Sequence, residues 1–159
     1  MDKKLENYLK DLKMQFKLHE HPAIFTVEEG KKLKQNIPGV HCKCLFLKDD
    51  SGNFYLVGMR ADKRLDITRL RKRIEAKKLH FASEEELWDL LGLRPGSVSI
   101  FGMINDTAKN VKLIIDKEVW ESPIVGFHPN INTATLEVKH IDLEKFYESI
   151  KSEKEIVEL

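Results

Sequence analysis

Apolar residues recur along this chain at two spacings, and the switches between them mark out its elements. Leu5, Leu9, Leu12 and Phe16 follow one another at the period of one helix face, so an amphipathic helix opens the chain. A short strand is expected around Lys17-Leu18-His19. Thr26-Val27-Glu28-Glu29 has the form of a capping box, in which the threonine hydroxyl takes the Glu29 amide and the glutamate reaches back. A second helix therefore starts there and ends before Pro38-Gly39. Residues 40–48 read as a strand that pairs with 54–59 through the turn Asp49-Asp50-Ser51-Gly52-Asn53. Asp66 is positioned to cap a basic helix over 67–78 whose apolar positions are Ile67, Leu70 and Ile74. Ser83-Glu84-Glu85-Glu86 forms a second capping box, opening a helix through Leu87, Leu90 and Leu91 that Gly92 stops. Further strands are expected at 98–103, 111–115, 124–127 and 133–138, and Asp142 is expected to cap a last helix carrying Leu143, Phe146, Tyr147 and Ile150. Helices and strands in this irregular order, with tight hairpins, predict an α+β fold: a mixed, mainly antiparallel sheet with flanking helices.

Length and composition narrow the class. At 159 residues the chain suits one domain, 1–159, large enough to bury a core unaided. Hydrophobic residues make up 42% and charged residues 33%, a globular balance, and no apolar run approaches the roughly 20 residues a membrane-spanning helix needs. Met1-Asp2-Lys3-Lys4-Leu5-Glu6 lacks the apolar stretch of a secretory signal, so a cytoplasmic location is expected. Cys42 and Cys44 sit too close along one strand to bridge readily, and no further cysteine completes a metal quartet.

Net charge is only +1, but its distribution is uneven. Between Arg60 and Lys78 stand nine basic residues against three acidic ones. Most such runs are solvated helix faces; a basic helix can equally hold an RNA backbone, which makes Arg69, Arg71, Lys72 and Arg73 candidate RNA contacts. Lys31, Lys32 and Lys34 are the next basic cluster.

The chemistry-bearing residues form no standard catalytic set. There is no Gly-x-Ser-x-Gly elbow, no His-Glu-x-x-His, no phosphate loop and no dinucleotide fingerprint, and His19 and His21 without a third ligand make a poor metal site. Neither a metal nor a cofactor is expected. Lys43 is the unusual residue: alternation places it with Leu45 and Leu47, with Cys42, Cys44 and Phe46 on the other face. A lysine threaded into an apolar strand either runs its stem to water or serves an anion. Cys44 beside it is a weak nucleophile candidate, since it faces away from the ammonium, and packing is its default role.

Four segments carry a resemblance that absorbs these residues. They are His21-Pro22-Ala23-Ile24-Phe25-Thr26-Val27-Glu28-Glu29, the lysine strand from Gly39 to Lys48, the stretch from Leu93-Arg94-Pro95-Gly96-Ser97-Val98-Ser99-Ile100 to Asp106, and Gly126-Phe127-His128-Pro129-Asn130 with Asn132 and Thr133 following. In this order, from about Leu5 to about Tyr147, the chain resembles the YbaK/ProX family of free-standing aminoacyl-tRNA editing domains, and within it the alanyl-tRNA(Pro) deacylases. The resemblance implies a trans-acting hydrolase that removes alanine from tRNA(Pro), with tRNA as partner and prolyl-tRNA synthetase as a second candidate partner. It assigns the functional lysine to Lys43 and the substrate-facing backbone to Gly96, Ser97 and Val98. It makes His128 and Asn132 candidates for the amino-acid pocket, with Asp106 as a candidate to meet the substrate ammonium or orient Lys43; an Asx turn is the alternative for Asp106. The chain departs from the family pattern at Cys44, where many relatives have asparagine, and at Ile100, where the Gly-x-x-x-Pro loop has its proline. Two other readings stay open at this point: a deacylase for Cys- or Ser-charged tRNA, and a tRNA-binding module without activity.

Overall fold

Alternation along one long strand organises the molecule. In the computed structural model, which describes all 159 residues, β2 (Val40–Lys48) sends Cys42, Cys44 and Phe46 into the larger of two hydrophobic clusters and Leu45 and Leu47 into the smaller one. Its neighbours are β3 (Phe54–Arg60), joined by the expected hairpin, and β6 (Ile124–Phe127), joined in parallel. With β1 (Phe16–Glu20), β5 (Val111–Asp116), β7 (Ala134–Lys139) and β8 (Lys154–Val157), the lateral order is β1-β7-β6-β2-β3-β5-β8. The two-residue β4 (His80–Phe81) pairs with β2 outside this path. Four pairings are antiparallel and three parallel, so the sheet is mixed and mainly antiparallel as expected.

Six helices flank it: α1 (Lys3–Asp11), α2 (Val27–Leu33), α3 (Ile67–Arg73), α4 (Glu84–Leu91), α5 (Lys117–Trp120) and α6 (His140–Ser149). None is long and apolar enough to cross a membrane. Local caps start most of them. Thr26 accepts from the Glu29 amide, Asp66 from the Arg69 amide, and Ser83 and Glu86 satisfy each other's amides in a full capping box. At α2 only half of the expected box forms, because the Glu29 carboxylate reaches the Phe25 amide at 3.4 Å and not that of Thr26. Gly92 ends α4 in the left-handed conformation, as its position required.

Three expectations are corrected. Residues 98–103 are not a strand: Ile100–Asn105 is a 3-10 helix capped by Ser99, with Ile100, Phe101 and Met103 all buried. A short apolar run buried on every side carries no period that separates strand from helix. The basic helix stops at Arg73, since Glu75 (φ 55°) and Lys78 (φ 49°) lie outside right-handed helical space. Asp142 sits inside the first turn of α6, where its carboxylate takes the Gln15 amide at 3.0 Å in place of capping.

Candidate active site

β2 meets β6 only through Val40 and His41, while its register with β3 begins at Cys42. The sheet therefore forks at the start of β2, and a cavity of about 430 Å³ opens at the fork. Its wall combines the first half of β2, the Arg60-Ala61-Asp62 exit from β3, α2 with its approach, Gly96 and Val98, and His128. Because it wraps round a strand end, residues of both faces reach it. Lys43 and Cys44, separated by alternation, both line it.

Lys43 lies opposite Met59 in the hairpin. Its pKa is lowered because burial strips water from the ammonium, and the charge of Asp62 offsets part of that cost. Asp62 is itself gripped at 3.0 Å through both oxygens by Arg60, which also reaches Glu118 at 3.0 Å. Lys43 thus stands near one already occupied carboxylate and makes no side-chain hydrogen bond. That leaves its three donors for a ligand.

Arg94-Pro95-Gly96-Ser97 is a turn closed by the Ser97 amide on the Arg94 carbonyl at 3.0 Å, with Gly96 at φ 86°. Proline then a left-handed residue is a type II turn, which favours glycine at that place. The bond consumes the Ser97 amide, and Ser97 does not line the cavity. The Gly96 and Val98 amides make no backbone hydrogen bond and both residues line it. Ile100, standing where the family pattern has proline, is fully buried and packs within 3.1 Å of where a Cβ on Gly58 would sit. Packing holds this end of the loop in place of a proline ring.

His128 follows β6 and points Nδ1 at the Ala134 carbonyl, 2.9 Å away. A carbonyl only accepts, so Nδ1 carries the proton and Nε2 presents a lone pair. Burial, reinforced by the charge of Lys34, pushes the His128 pKa down to about 4. Near its ring, His21 is held by the Pro22 carbonyl and the Thr135 hydroxyl, both at 2.9 Å, with ring centroids 6.3 Å apart.

The remaining expected site residues lie elsewhere. Asp106 is buried and its carboxylate is spent on the Asn110 and Val111 amides and the Ser152 hydroxyl, at 2.7 to 3.0 Å. It is a loop brace, away from the cavity wall. Asn132 lies beside the Gly96 turn, its Nδ2 3.8 Å from the place a Cβ would occupy, and does not line the cavity. Arg69, Arg71, Lys72 and Arg73 are on α3, outside the cavity wall. Arg73 pairs with Glu155 at 2.9 Å, and at about 100° per residue Arg71 projects away from Arg69, Lys72 and Arg73. Sequence reasoning missed Lys34, His41, Arg60 and Asp62 as wall residues, since nothing local marks which loops the fork gathers.

Cys42 and Cys44 are buried, and desolvation lifts both thiols, Cys44 to about 12. Neither is a nucleophile at neutral pH. The site offers cations, free amides and a neutral imidazole, a set suited to positioning an ester and its charge.

Comparison with known proteins gives the family. A prolyl-tRNA editing protein ProX from Acetoanaerobium sticklandii is 38% identical over 138 residues, covering 86% of this chain and 84% of that protein. A prolyl-tRNA synthetase associated domain-containing protein 1 from Danio rerio is 35% identical over 148 residues, 92% of this chain and 80% of that one. A crystal structure described as a candidate trans-editing enzyme for prolyl tRNA synthetase superposes with a TM-score of 0.74 at 18% identity, over 100% of this chain and 98% of its own, and shares the fold. The family model for the aminoacyl-tRNA editing domain matches residues 21–146, and the chain belongs to that family.

Proposed function

We propose that this protein is a trans-acting deacylase that hydrolyses alanine from mischarged tRNA(Pro). The class, aminoacyl-tRNA deacylase, follows from the family and from relatives named for prolyl-tRNA editing; the amino acid and the tRNA are the finer reading. The observation that carries it is the meeting of Lys43, the free Gly96 and Val98 amides and the neutral His128 at one cavity. A proline-activating site admits alanine because a smaller side chain is rejected by only about 1–3 kcal/mol, so a second, hydrolytic sieve is needed.

In the reaction a water oxygen bonds to the ester carbonyl carbon, the carbon–oxygen bond to the ribose breaks, and the ribose oxygen leaves with a proton. Lys43 supplies positive charge beside the ester, and the Gly96 and Val98 amides are donors for oxygen as it gains negative charge. His128 offers an acceptor at Nε2 but, with a pKa near 4, is a weak base, so it orients a hydroxyl or water more than it takes a proton. The ribose hydroxyl next to the ester is a substrate group that can assist. The working partner is the acceptor end of tRNA, with prolyl-tRNA synthetase a second proposed partner and residues 1–159 acting as one unit in the cytoplasm.

The test is a panel of Ala-tRNA(Pro), Pro-tRNA(Pro), Cys-tRNA(Pro) and Ser-tRNA. Turnover of the first with sparing of the second is expected. Preference for the Cys or Ser ester would replace alanine in this reading, and binding without turnover of any of them would make the protein a tRNA-binding module.

A further inference from the structure

Lys34 is the only buried lysine of the chain, 5% exposed at the C-cap of α2. A lysine at a helix end ordinarily lays its stem on the surface and keeps its ammonium in water. Lys34 turns inward and lines the cavity. Its backbone is pinned, the amide on the Gly30 carbonyl and the carbonyl under the Ile37 amide, both at 2.9 Å. No carboxylate and no hydrogen bond compensates its ammonium; burial lowers its pKa against a smaller opposing effect of Cys42, whose own raised pKa keeps it a neutral thiol at neutral pH. His41 and His128 line the same cavity, and burial first, then the Lys34 charge, lowers the proton affinity of both, whereas the charge near Lys43 is that of Asp62. His41 adds a second unmet group, since its Nδ1 is sealed from solvent without a hydrogen-bond partner.

An unpaired buried ammonium destabilises the free protein and is retained where a ligand charge completes it. Lys43 has the nearby charge of Asp62, and Lys34 has none, so the group with a full negative charge belongs at Lys34. Resting on the aminoacyl-tRNA reading, we propose that Lys34 is a second anion-binding residue of this site, taking the phosphodiester of the substrate's 3′-terminal nucleotide and leaving Lys43 to the ester. The aminoacyl ammonium is excluded from this side by like charge. A neutral ester oxygen is too weak a partner to offset the burial of an ammonium.

Lys34→Met keeps the length of the stem and removes the charge, and because no ion pair is lost the variant should melt at or above the wild-type temperature. Ligand binding is read from the ring resonances of His41 and His128, with the dinucleotide CpA, adenosine and inorganic phosphate as probes. Wild-type protein should bind CpA at least about tenfold more tightly than adenosine, and the variant should lose most of that difference. In the variant both imidazoles should titrate at higher pH. With Ala-tRNA(Pro), KM should rise about tenfold while kcat stays within about threefold. CpA binding unchanged by Lys34→Met overturns the proposal. So does a fall in kcat without a rise in KM, which would move Lys34 to the reacting carbonyl. Inorganic phosphate binding as tightly as CpA reduces the site to an adventitious anion site and also overturns it. The CpA comparison needs no turnover, so it decides the role of Lys34 even if wild-type protein hydrolyses no aminoacyl-tRNA and the functional reading fails.

Discussion

The Nδ1–H of His128 is spent on the Ala134 carbonyl at 2.9 Å, and that one bond decides which ring nitrogen carries the proton. The ring is neutral over the physiological range, with a pKa pushed down to about 4, first by burial and then by the Lys34 charge. An unfolded histidine titrates near about 6.5. As pH falls from about 6.5 to about 4, the unfolded chain takes up a proton that the folded one refuses, so stability is lost across that window; above it this residue contributes nothing. Urea unfolding of wild type against His128→Gln should show the difference growing by about 3 kcal/mol between pH 7 and pH 4. A difference that is flat with pH would mean that the buried ring is not held neutral.

Lys43→Ala should lower kcat/KM by an amount equal to about 2–4 kcal/mol of transition-state stabilisation, the scale of one preorganised donor, with the fold intact. Lys43→Arg should fall short of full rescue, since a planar fork replaces a compact point charge. Steady-state deacylation with circular dichroism as the folding control checks both, and near-wild-type turnover by the alanine variant refutes the assignment.

On α3 the contributions should be unequal. Arg73 is paired with Glu155 and Arg71 projects from the other side, so Arg69 and Lys72 are the two free cations on a common face. Neutralising all four should reduce the salt dependence of tRNA binding by the equivalent of about two phosphate contacts, for cognate and non-cognate tRNA alike. Filter binding across salt concentrations measures the slope. An unchanged slope would make this run a solvated helix face.

Two glycines of the site answer to different constraints. Gly39 has φ 92° and a Cβ there would lie 2.5 Å from the Ile124 carbonyl oxygen, whereas at Gly96, with φ 86°, the nearest atom is 3.8 Å away. Gly96→Ala should cost about 1–2 kcal/mol of backbone strain, and Gly39→Ala clearly more, because it also parts β2 from β6. Chemical denaturation of the two variants ranks them, and equal costs would contradict the packing at the fork.

The thiols should be inert. With Cys44 pushed up to about 12 and Cys42 also raised, alkylation by iodoacetamide at pH 8 should run roughly a thousandfold slower than for free cysteine. Mass spectrometry over time reads this directly, and rapid labelling of Cys44 would reopen a nucleophilic role.

The chain's own order of residues determined whatever depends on near neighbours. Thr26, Asp66 and Ser83 cap helices because a side-chain oxygen needs only an amide three residues on, and Lys43 parts from Cys44 because strand side chains alternate. Lys43, Gly96 and His128, which the resemblance singled out, line one cavity. Ser99 to Met103 was illegible because a run buried on all sides has no period, and Asp106 because an acidic residue after an apolar run looks the same whether it meets a ligand or its own loop. Lys34 is the sharpest case. In the sequence it is the third lysine of a basic cluster, of the kind that coats a surface. Only the lateral order of the strands, with β2 set between β6 and β3, opens the fork over which α2 closes and turns that one ammonium inward. Which strand lies beside which is decided by the packing of the whole sheet, a sum over distant pairs that no local pattern contains.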